Sequence, residues 1–337
     1  MDQNDQSNFA SDKVFDPSIQ SEKIAFDGHE LVECSSCRRS NPPNRLACLY
    51  CGTTLDVERL DLEAVKPNLR KPDPWEVGIS LVSVPSSPNG LTDFSAASRI
   101  LSLDADVLKE ILKSPIPLPL CRLESEAEVS AIQKLLDGLG IESTPVTDRS
   151  LDARNPPVRL ARIDFSDSEL SLITFNSREH LTIKADEIVL LVEGSIAESK
   201  VEQTEKRKGG TSKLQGEIAT IFDEPILDIY SSKNVIGYRV LMSGFDFSSL
   251  GKDKGLIAAE NLKELVRSLS AVCTKSRTIS GFRSLRGLLG HVWELEMRRE
   301  TKGLQVTGFG KREIGSTIST NNLEQFTKFS RLQRLML

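Results

Sequence analysis

Four cysteines between positions 34 and 51 constrain this chain more than any other feature of its sequence. They form two pairs with CxxC spacing, separated by ten residues: Cys34, Cys37, Cys48 and Cys51. A CxxC turn directs two thiolates at one centre, and two such turns complete a tetrahedral set of four sulfurs. We therefore predict that these residues hold a structural zinc ion (Zn²⁺) in a closed site, with no position left for water or substrate.

The segment around the cysteines has too few apolar residues to bury a core. The larger ones between positions 31 and 55 are Leu31, Val32, Leu46, Leu49, Tyr50 and Leu55. We expect metal binding to supply most of the folding free energy, about 10–16 kcal/mol at neutral pH for peptides of this kind. Without the ion this segment should be unfolded.

Other chemistries use similar cysteine patterns. Disulfide bonds would need an oxidising compartment, but no secretory signal precedes the cysteines, and Cys121 and Cys273 show no paired spacing. A dithiol redox site normally uses one CxxC motif in a βαβ frame. An iron or iron–sulfur centre stays open, because spacing alone does not separate it from zinc. His29 is an alternative ligand, although four cysteines already complete the shell.

Three positions in this segment match a known pattern. Cys37, Asn41 and Cys48 have three and then six residues between them. This spacing resembles the zinc finger of the Ran-binding-protein type, a short zinc ribbon, and the resemblance covers residues 34–51. It implies one zinc ion bound by the four cysteines and a small ribbon at 31–56.

The ligand-binding positions of that family are occupied differently here. Val32 stands where the family usually has Trp, and Arg38 and Arg39 stand where its ubiquitin-binding members have Thr-Phe. Its RNA-binding members stack an aromatic residue between bases, whereas here Pro42 and Pro43 follow the Asn. The resemblance therefore implies the metal site and leaves the ligand undefined.

The composition is that of an ordinary globular protein. The chain has 337 residues, of which 39% are hydrophobic and 27% charged, and its net charge is −5. Its length predicts two or three domains. The acidic balance argues against a protein that coats nucleic acid along its whole length. No run of eighteen apolar residues is present, so we expect no transmembrane segment. Free thiols beside a zinc site fit a reducing cytoplasm, where we expect the protein to reside.

We predict an α+β multidomain chain in six parts. The parts are a disordered leader at 1–30, the zinc ribbon at 31–56, a linker at 57–75, a small α/β domain at 76–150, a β-rich domain with a closing helix at 155–275 and a basic helical tail at 276–337.

Residues 76–150 have the element order β-α-α-β-α-β. The pattern predicts strands at 77–84, 118–123 and 141–146, with helices at 93–101 and 104–113 and a third helix begun by a capping box of Ser125 and Glu128.

This order resembles the C-terminal domain of the bacterial ribosomal stalk protein over residues 76–147. The phrase Leu-Lys-Glu-Ile-Leu-Lys-Ser-Pro at 108–115, the Ser-Glu-Ala-Glu helix start at 125–128 and the Leu-Gly-Ile corner at 139–141 carry the resemblance. In that family a helical face rich in lysine and glycine docks translation factors. The matching face here is hardly basic, so the resemblance implies the fold and not the docking function. Its residues are Asp93, Ser95, Ser98, Arg99, Ser102 and Asp104.

The second half of the chain changes to strand periodicity. Short strands are predicted at 158–165, 170–175, 180–183, 188–192, 196–201, 218–222, 226–230 and 237–241, with a hydrophilic loop at 202–215 and a closing helix at 256–272. This order predicts a barrel-like, pleckstrin-homology-like layout. Helical spacing recurs near Phe282 and Phe326. Near Phe326 a basic stripe is formed by Lys328, Arg331 and Arg334.

No catalytic motif accompanies these elements. The three histidines, His29, His180 and His291, lie in no recognisable triad or metal motif. We therefore predict a non-enzymatic adaptor or regulatory protein that acts through protein–protein contacts. Two alternatives stay open: an RNA- or ribosome-associated factor that uses the ribbon arginines and the basic tail, or an enzyme with an unrecognised site in the β-rich half. The ribbon arginines are Arg38, Arg39 and Arg45. The sequence predicts neither the partner's identity nor the oligomeric state.

Overall fold

A computed structural model of the chain describes residues 26–43, 45, 48–53, 55, 72–73, 76–85, 94–208, 211–308 and 311–337, but not the side chains of 203–217 and 302–315. The chain forms two compact units, residues 1–65 and 66–337. Most of the predicted leader at 1–30 and of the predicted linker at 57–75 lies outside the described ranges. No helix within the described ranges is long and apolar enough to cross a bilayer.

The first unit contains the four-cysteine cluster and a minimal antiparallel pair of strands. Strand β1 (Val32–Glu33) pairs with β2 (Ser40–Asn41). Among the described residues of this unit, Val32, Pro43 and Leu55 are buried apolar residues in addition to the cysteines. That a metal supplies most of the folding free energy of this segment stays a prediction.

The predicted elements between 76 and 147 are present in the predicted order. They are β3 (Ile79–Ser83), α1 (Phe94–Leu101), α2 (Ala105–Lys113), β4 (Pro119–Leu123), α3 (Glu126–Gly138) and β5 (Ser143–Thr147). The strands form an antiparallel sheet in the order β4-β3-β5. The predicted capping box closes reciprocally, because Glu128 N–H donates to Ser125 Oγ and Ser125 N–H donates to Glu128 Oε2, both at 3.3 Å.

The remaining strands form one nine-stranded sheet that curls into a half-barrel. After the short helix α4 (Asp148–Leu151), the strands are β6 (Val158–Phe165), β7 (Glu169–Thr174), β8 (His180–Lys184), β9 (Ile188–Lys208), β10 (Thr211–Ser231), β11 (Tyr238–Leu241), β12 (Arg277–Ile279), β13 (Glu296–Gly308) and β14 (Lys311–Asn321). Their order is β13-β14-β9-β10-β11-β6-β7-β8, and β12 pairs with β9. Short 3-10 helices lie at Ala185–Glu187 and Phe247–Asp253.

Helix α5 (Ala258–Val272) covers the curled sheet, at the position predicted for the closing helix. Its buried Leu262, Leu265 and Leu269 belong to one apolar core together with Leu191 and Leu227 of the sheet. Burial of these side chains is the main stabilising contribution in this part of the chain. The pleckstrin-homology-like layout and the domain boundaries at 150, 155 and 275 stay predictions.

The segment 202–215 was expected to be a hydrophilic loop, and that expectation is wrong. Strands β9 and β10 are each 21 residues long and run through it, apart from positions 209–210. The pattern gave no strand signal there because the residues are mostly polar. Backbone pairing with neighbouring strands satisfies the N–H and C=O groups without apolar alternation.

The predicted helical tail at 276–337 also contains strands. Helices α6 (Phe282–Leu289) and α7 (Leu323–Leu335) lie where helical spacing predicted them, but β13 and β14 lie between them. The two strands form a hairpin, and β14 pairs with β9. The tail is therefore partly an extension of the sheet.

The side chains of the predicted basic stripe on α7 mostly bind other groups of this chain. Arg331 is only 5% exposed and donates to the carbonyl oxygens of Leu151 and Asn155. Arg334 donates to the Ser231 carbonyl, and Lys328 pairs with Glu324. These side chains hold α7 in place instead of forming an open basic edge.

Candidate metal centre

The four predicted cysteines come together in one cluster. The Sγ atoms of Cys34, Cys37, Cys48 and Cys51 all lie within 4.8 Å of one another. The distance is 3.6 Å between Cys34 and Cys51 and 3.5 Å between Cys37 and Cys48. Sulfurs bound to one tetrahedral zinc at about 2.3 Å lie about 3.8 Å apart. The cluster therefore has the donor set and the spacing that a tetrahedral metal ion requires.

The two cysteine turns repeat the same backbone hydrogen bonds. Arg38 N–H donates to the Cys34 carbonyl at 2.9 Å, and Gly52 N–H donates to the Cys48 carbonyl at 3.0 Å. The residue that ends each turn has positive φ, 58° at Arg38 and 73° at Gly52. Glycine adopts this left-handed conformation readily, whereas an arginine is strained in it.

Asn41 connects the first turn to the second. Its Nδ2 donates to the Arg39 carbonyl at 2.8 Å and lies 3.4 Å from Cys48 Sγ. Its Oδ1 accepts the N–H of Leu49 at 2.8 Å. The asparagine that the ribbon resemblance singles out therefore has a structural role here, because it joins both cysteine turns while being fully buried.

The thiols differ in their tendency to ionise. Side-chain and backbone hydrogen bonds from Thr53 lower the pKa of Cys51 to about 6. A backbone hydrogen bond from Arg39 lowers the pKa of Cys37, but desolvation and the three neighbouring sulfurs raise it to about 12. Four thiols this close do not all ionise without a compensating cation, and a divalent metal supplies that charge.

The other predicted candidates are not members of this cluster. The four-sulfur cluster found among the described residues does not include His29, which lies in a turn at 28–30. Cys121 and Cys273 are buried in the second unit, and burial raises the pKa of Cys121 to about 12. Nε2 of His291 lies 3.1 Å from the Leu120 carbonyl, which is a structural contact.

The second cysteine turn presents apolar side chains to solvent. Leu49 is 53% exposed and Tyr50 is 56% exposed, although both lie between Cys48 and Cys51 of the cluster. The guanidinium carbon of Arg39 lies 4.6 Å from the centroid of the Tyr50 ring, a cation–π geometry. The sequence identifies both residues only as members of a small apolar set and does not predict their exposure, because apolar character alone does not reveal which side of a turn faces water.

A small cavity in the second unit is lined by charged side chains that are candidates for catalytic groups. It has a volume of about 200 Å³ and lies among β9, β10 and the first turns of α5 and α6. Its lining contains one carboxylate, Glu193, together with Lys263 and Arg283. Desolvation raises the pKa of Glu193 while the charge of Lys263 opposes the rise. A single carboxylate does not make the acid–base pair that hydrolytic or proton-transfer sites commonly use.

Comparison of the chain with protein-family models, with curated proteins and with solved structures gives no match.

Proposed function

We propose that this chain is an adaptor or regulatory protein whose zinc-stabilised ribbon, residues 31–56, docks on another protein. The observation that carries the proposal is the exposure of Leu49 and Tyr50 between two ligand cysteines. A metal-held turn keeps an apolar pair in fixed positions at low entropic cost, and fixed aromatic anchors are typical of protein-binding surfaces.

Zinc is the metal that we assign to this site. An all-thiolate set of four ligands is the usual donor set of structural zinc. The ligands leave no open coordination position, so the ion would stabilise the fold and take no part in a reaction. Reduced thiols of this kind persist in the cytoplasm, which is the compartment that we propose.

Elemental analysis of the purified full-length chain tests the metal. We expect one zinc per chain, lost when Cys34 and Cys48 are both replaced by serine. Iron at one equivalent, or no stoichiometric metal, would overturn the zinc assignment.

Partner capture tests the docking surface. Tagged protein is incubated with a lysate of the source cells, and bound proteins are identified by mass spectrometry. We expect a partner that is retained by the wild type and lost by Leu49→Ser/Tyr50→Ser at unchanged zinc content. Leu295→Ser is the matched control, because Leu295 is an exposed apolar residue of the second unit. Equal capture by all three proteins would reject the ribbon as the docking surface.

A second candidate is RNA binding by the same ribbon. Arg39 and Tyr50 form an exposed stacked pair, and Arg38 and Arg45 are also exposed. Aromatic rings stack on unpaired bases and arginines contact phosphates. Electrophoretic mobility shifts with single-stranded RNA distinguish the two functions. RNA binding predicts a shift that weakens with salt and disappears when the three arginines become alanine. An absent shift at low salt would reject this candidate.

A further inference from the structure

A carboxylate lies on the face of the large sheet that helix α5 covers. Glu193 of β9 is the cross-strand partner of Leu227 in β10, and Leu191 is the partner of Ile229. Paired residues in an antiparallel sheet point to the same face, and that face recurs every second residue. Leu191, Leu227 and Ile229 belong to the apolar core under α5. Glu193 therefore stands at a core-facing position, where strands normally carry an apolar residue.

Glu193 shares the small cavity described above with Lys263 of α5. The cavity has a volume of about 200 Å³ and lies among β9, β10 and the first turns of α5 and α6. Within the described part of the chain, neither side chain makes a hydrogen bond or a salt bridge, although the charge of Lys263 acts on Glu193. A half-buried carboxylate without a hydrogen-bond donor is costly, because its lost hydration is not replaced. Both charges are therefore free to bind a ligand.

The start of α6 adds hydrogen-bond donors to the same cavity. Gly281, with a φ of 98°, precedes the helix, and no side chain caps it. The N–H groups of Phe282 and Arg283, at its first two positions, have no partner within the helix. Both residues line the cavity, and N–H groups at a helix start favour a carboxylate. The Arg283 guanidinium itself pairs with Asp223 at 2.9 Å, so its charge is already compensated.

We propose that this cavity binds a small zwitterion, an α-amino acid with an apolar side chain. Glu193 accepts hydrogen bonds from the ammonium group of the ligand, and Lys263 and the first N–H groups of α6 donate to its carboxylate. A simple cation would be repelled by Lys263, and a simple anion would be repelled by Glu193. A zwitterion meets an opposite charge at both ends, which is why this class fits the cavity best.

The size and the walls of the cavity define the side chain of the ligand. A cavity of about 150 Å³ holds one benzene molecule, so the volume of about 200 Å³ has room for about eight non-hydrogen atoms. This is the size of valine or leucine. Pro225, Leu262 and Phe282 supply apolar wall. Small-molecule sites commonly combine such walls with a few polar groups that fix the orientation of the ligand.

Isothermal titration calorimetry of the full-length chain with L-leucine tests the proposal, together with two analogues that each lack one charge. Isocaproate has the leucine skeleton without the ammonium group, and isoamylamine has it without the carboxylate. We expect saturable binding of leucine. Each analogue should bind at least about tenfold more weakly, because it loses the charge-assisted hydrogen bonds at one end.

Two variants assign the two charges of the ligand to the two side chains. Glu193→Gln should weaken leucine binding about tenfold and should not weaken isocaproate, which has no ammonium group to lose. Lys263→Ala should likewise weaken leucine and leave isoamylamine unchanged. Glu260→Gln is the matched control, because Glu260 is an exposed carboxylate on the first turn of α5 outside the cavity lining. It should leave the affinity for all three compounds unchanged.

Three results would overturn the proposal. The first is no saturable binding of leucine, valine or methionine up to about 5 mM. The second is equal affinity for leucine and both analogues, which would show that the cavity does not recognise the charges. The third is equal weakening by Glu260→Gln and Glu193→Gln, which would place the binding site elsewhere. Far-ultraviolet circular dichroism establishes that each variant is folded, and Lys263→Ala with isoamylamine decides the case if Glu193→Gln does not fold.

Discussion

Arg239 and Asp228 form a two-point ion pair in the interior of the second unit. Arg239 Nε lies 2.7 Å from Asp228 Oδ1, and Nη2 lies 2.8 Å from Oδ2. The two residues are cross-strand partners in β10 and β11. Nη2 also donates to Thr327 Oγ1 of α7 at 3.0 Å. The pair therefore joins the large sheet to the C-terminal helix while being almost inaccessible to water.

Removal of Asp228 should strongly destabilise this unit. Asp228→Ala leaves the Arg239 guanidinium buried without its counterion, which costs about 3–5 kcal/mol. Urea unfolding followed by tryptophan fluorescence measures the free energy of unfolding, because Trp293 is buried in the same unit. Glu264→Ala is the control: it breaks the exposed pair with Arg267 and should cost less than about 1 kcal/mol. Similar losses for both variants would contradict the prediction.

A methyl group at Gly194 should disrupt the packing of α7. A Cβ atom there would lie 2.2 Å from Cε2 of Phe326, a distance that folded proteins do not tolerate. We expect Gly194→Ala to lower the free energy of unfolding by about 1–3 kcal/mol. The loss should shrink in a Phe326→Leu background, because the smaller side chain vacates the ring position.

A second glycine provides the control for this experiment. Gly287 lies inside α6 with no atom within 4 Å of an added Cβ. Gly287→Ala should be neutral or stabilise the unit by up to about 1 kcal/mol, since alanine is the better helix former. A destabilisation equal to that of Gly194→Ala would show that steric overlap with Phe326 is not the cause.

The left-handed residues of the two cysteine turns should respond in opposite directions. Arg38→Gly relieves a strained conformation and should strengthen metal binding by about 1 kcal/mol, or roughly fivefold in affinity. Gly52→Ala introduces the same strain and should weaken binding by a similar factor. Competition for zinc with a chromophoric chelator measures both. Arg38→Ala separates strain from charge, because it removes the guanidinium without restoring a residue suited to positive φ. A gain in affinity for Arg38→Ala equal to that for Arg38→Gly would contradict the role of strain.

Thiol reactivity should distinguish the four cysteines of the cluster, which a metal would protect, from the two buried cysteines of the second unit. The chain has six free cysteines, four in the cluster and two elsewhere. Burial raises the pKa of Cys121 to about 12 and that of Cys273 to about 11, so both remain protonated at about pH 8, where only the thiolate reacts.

Titration with a chromogenic disulfide at about pH 8 tests this assignment. We expect no rapid reaction of the metal-loaded chain. Chelation should make four thiols reactive, because the segment around the cluster unfolds without its metal and the Cys37 thiol then loses the neighbouring sulfurs that raise its pKa. Denaturation should make all six reactive. Four reactive thiols before chelation would show that no metal protects the cluster. Six after chelation alone would show that the metal also stabilises the second unit.

Local sequence determined the elements whose signal lies within a few neighbouring residues. The two CxxC turns each place their own sulfurs through backbone bonds that span four residues, so their spacing identified the site. The capping box of Ser125 and Glu128 likewise began α3 where the pattern placed it. In both cases the interacting groups are neighbours along the chain, and spacing alone brings them together.

The tertiary structure decided the features that depend on distant partners. Strand β9 extends through residues without apolar alternation because it is paired on both sides, with β10 and with β14, which follows about one hundred residues later. Arg331 is buried because the carbonyl oxygens of Leu151 and Asn155 accept hydrogen bonds from its guanidinium group, although its spacing predicted a surface stripe. In both cases the hydrogen-bond partners come from groups far away in sequence. The residues around each position therefore do not reveal whether its backbone is paired or its charge is buried.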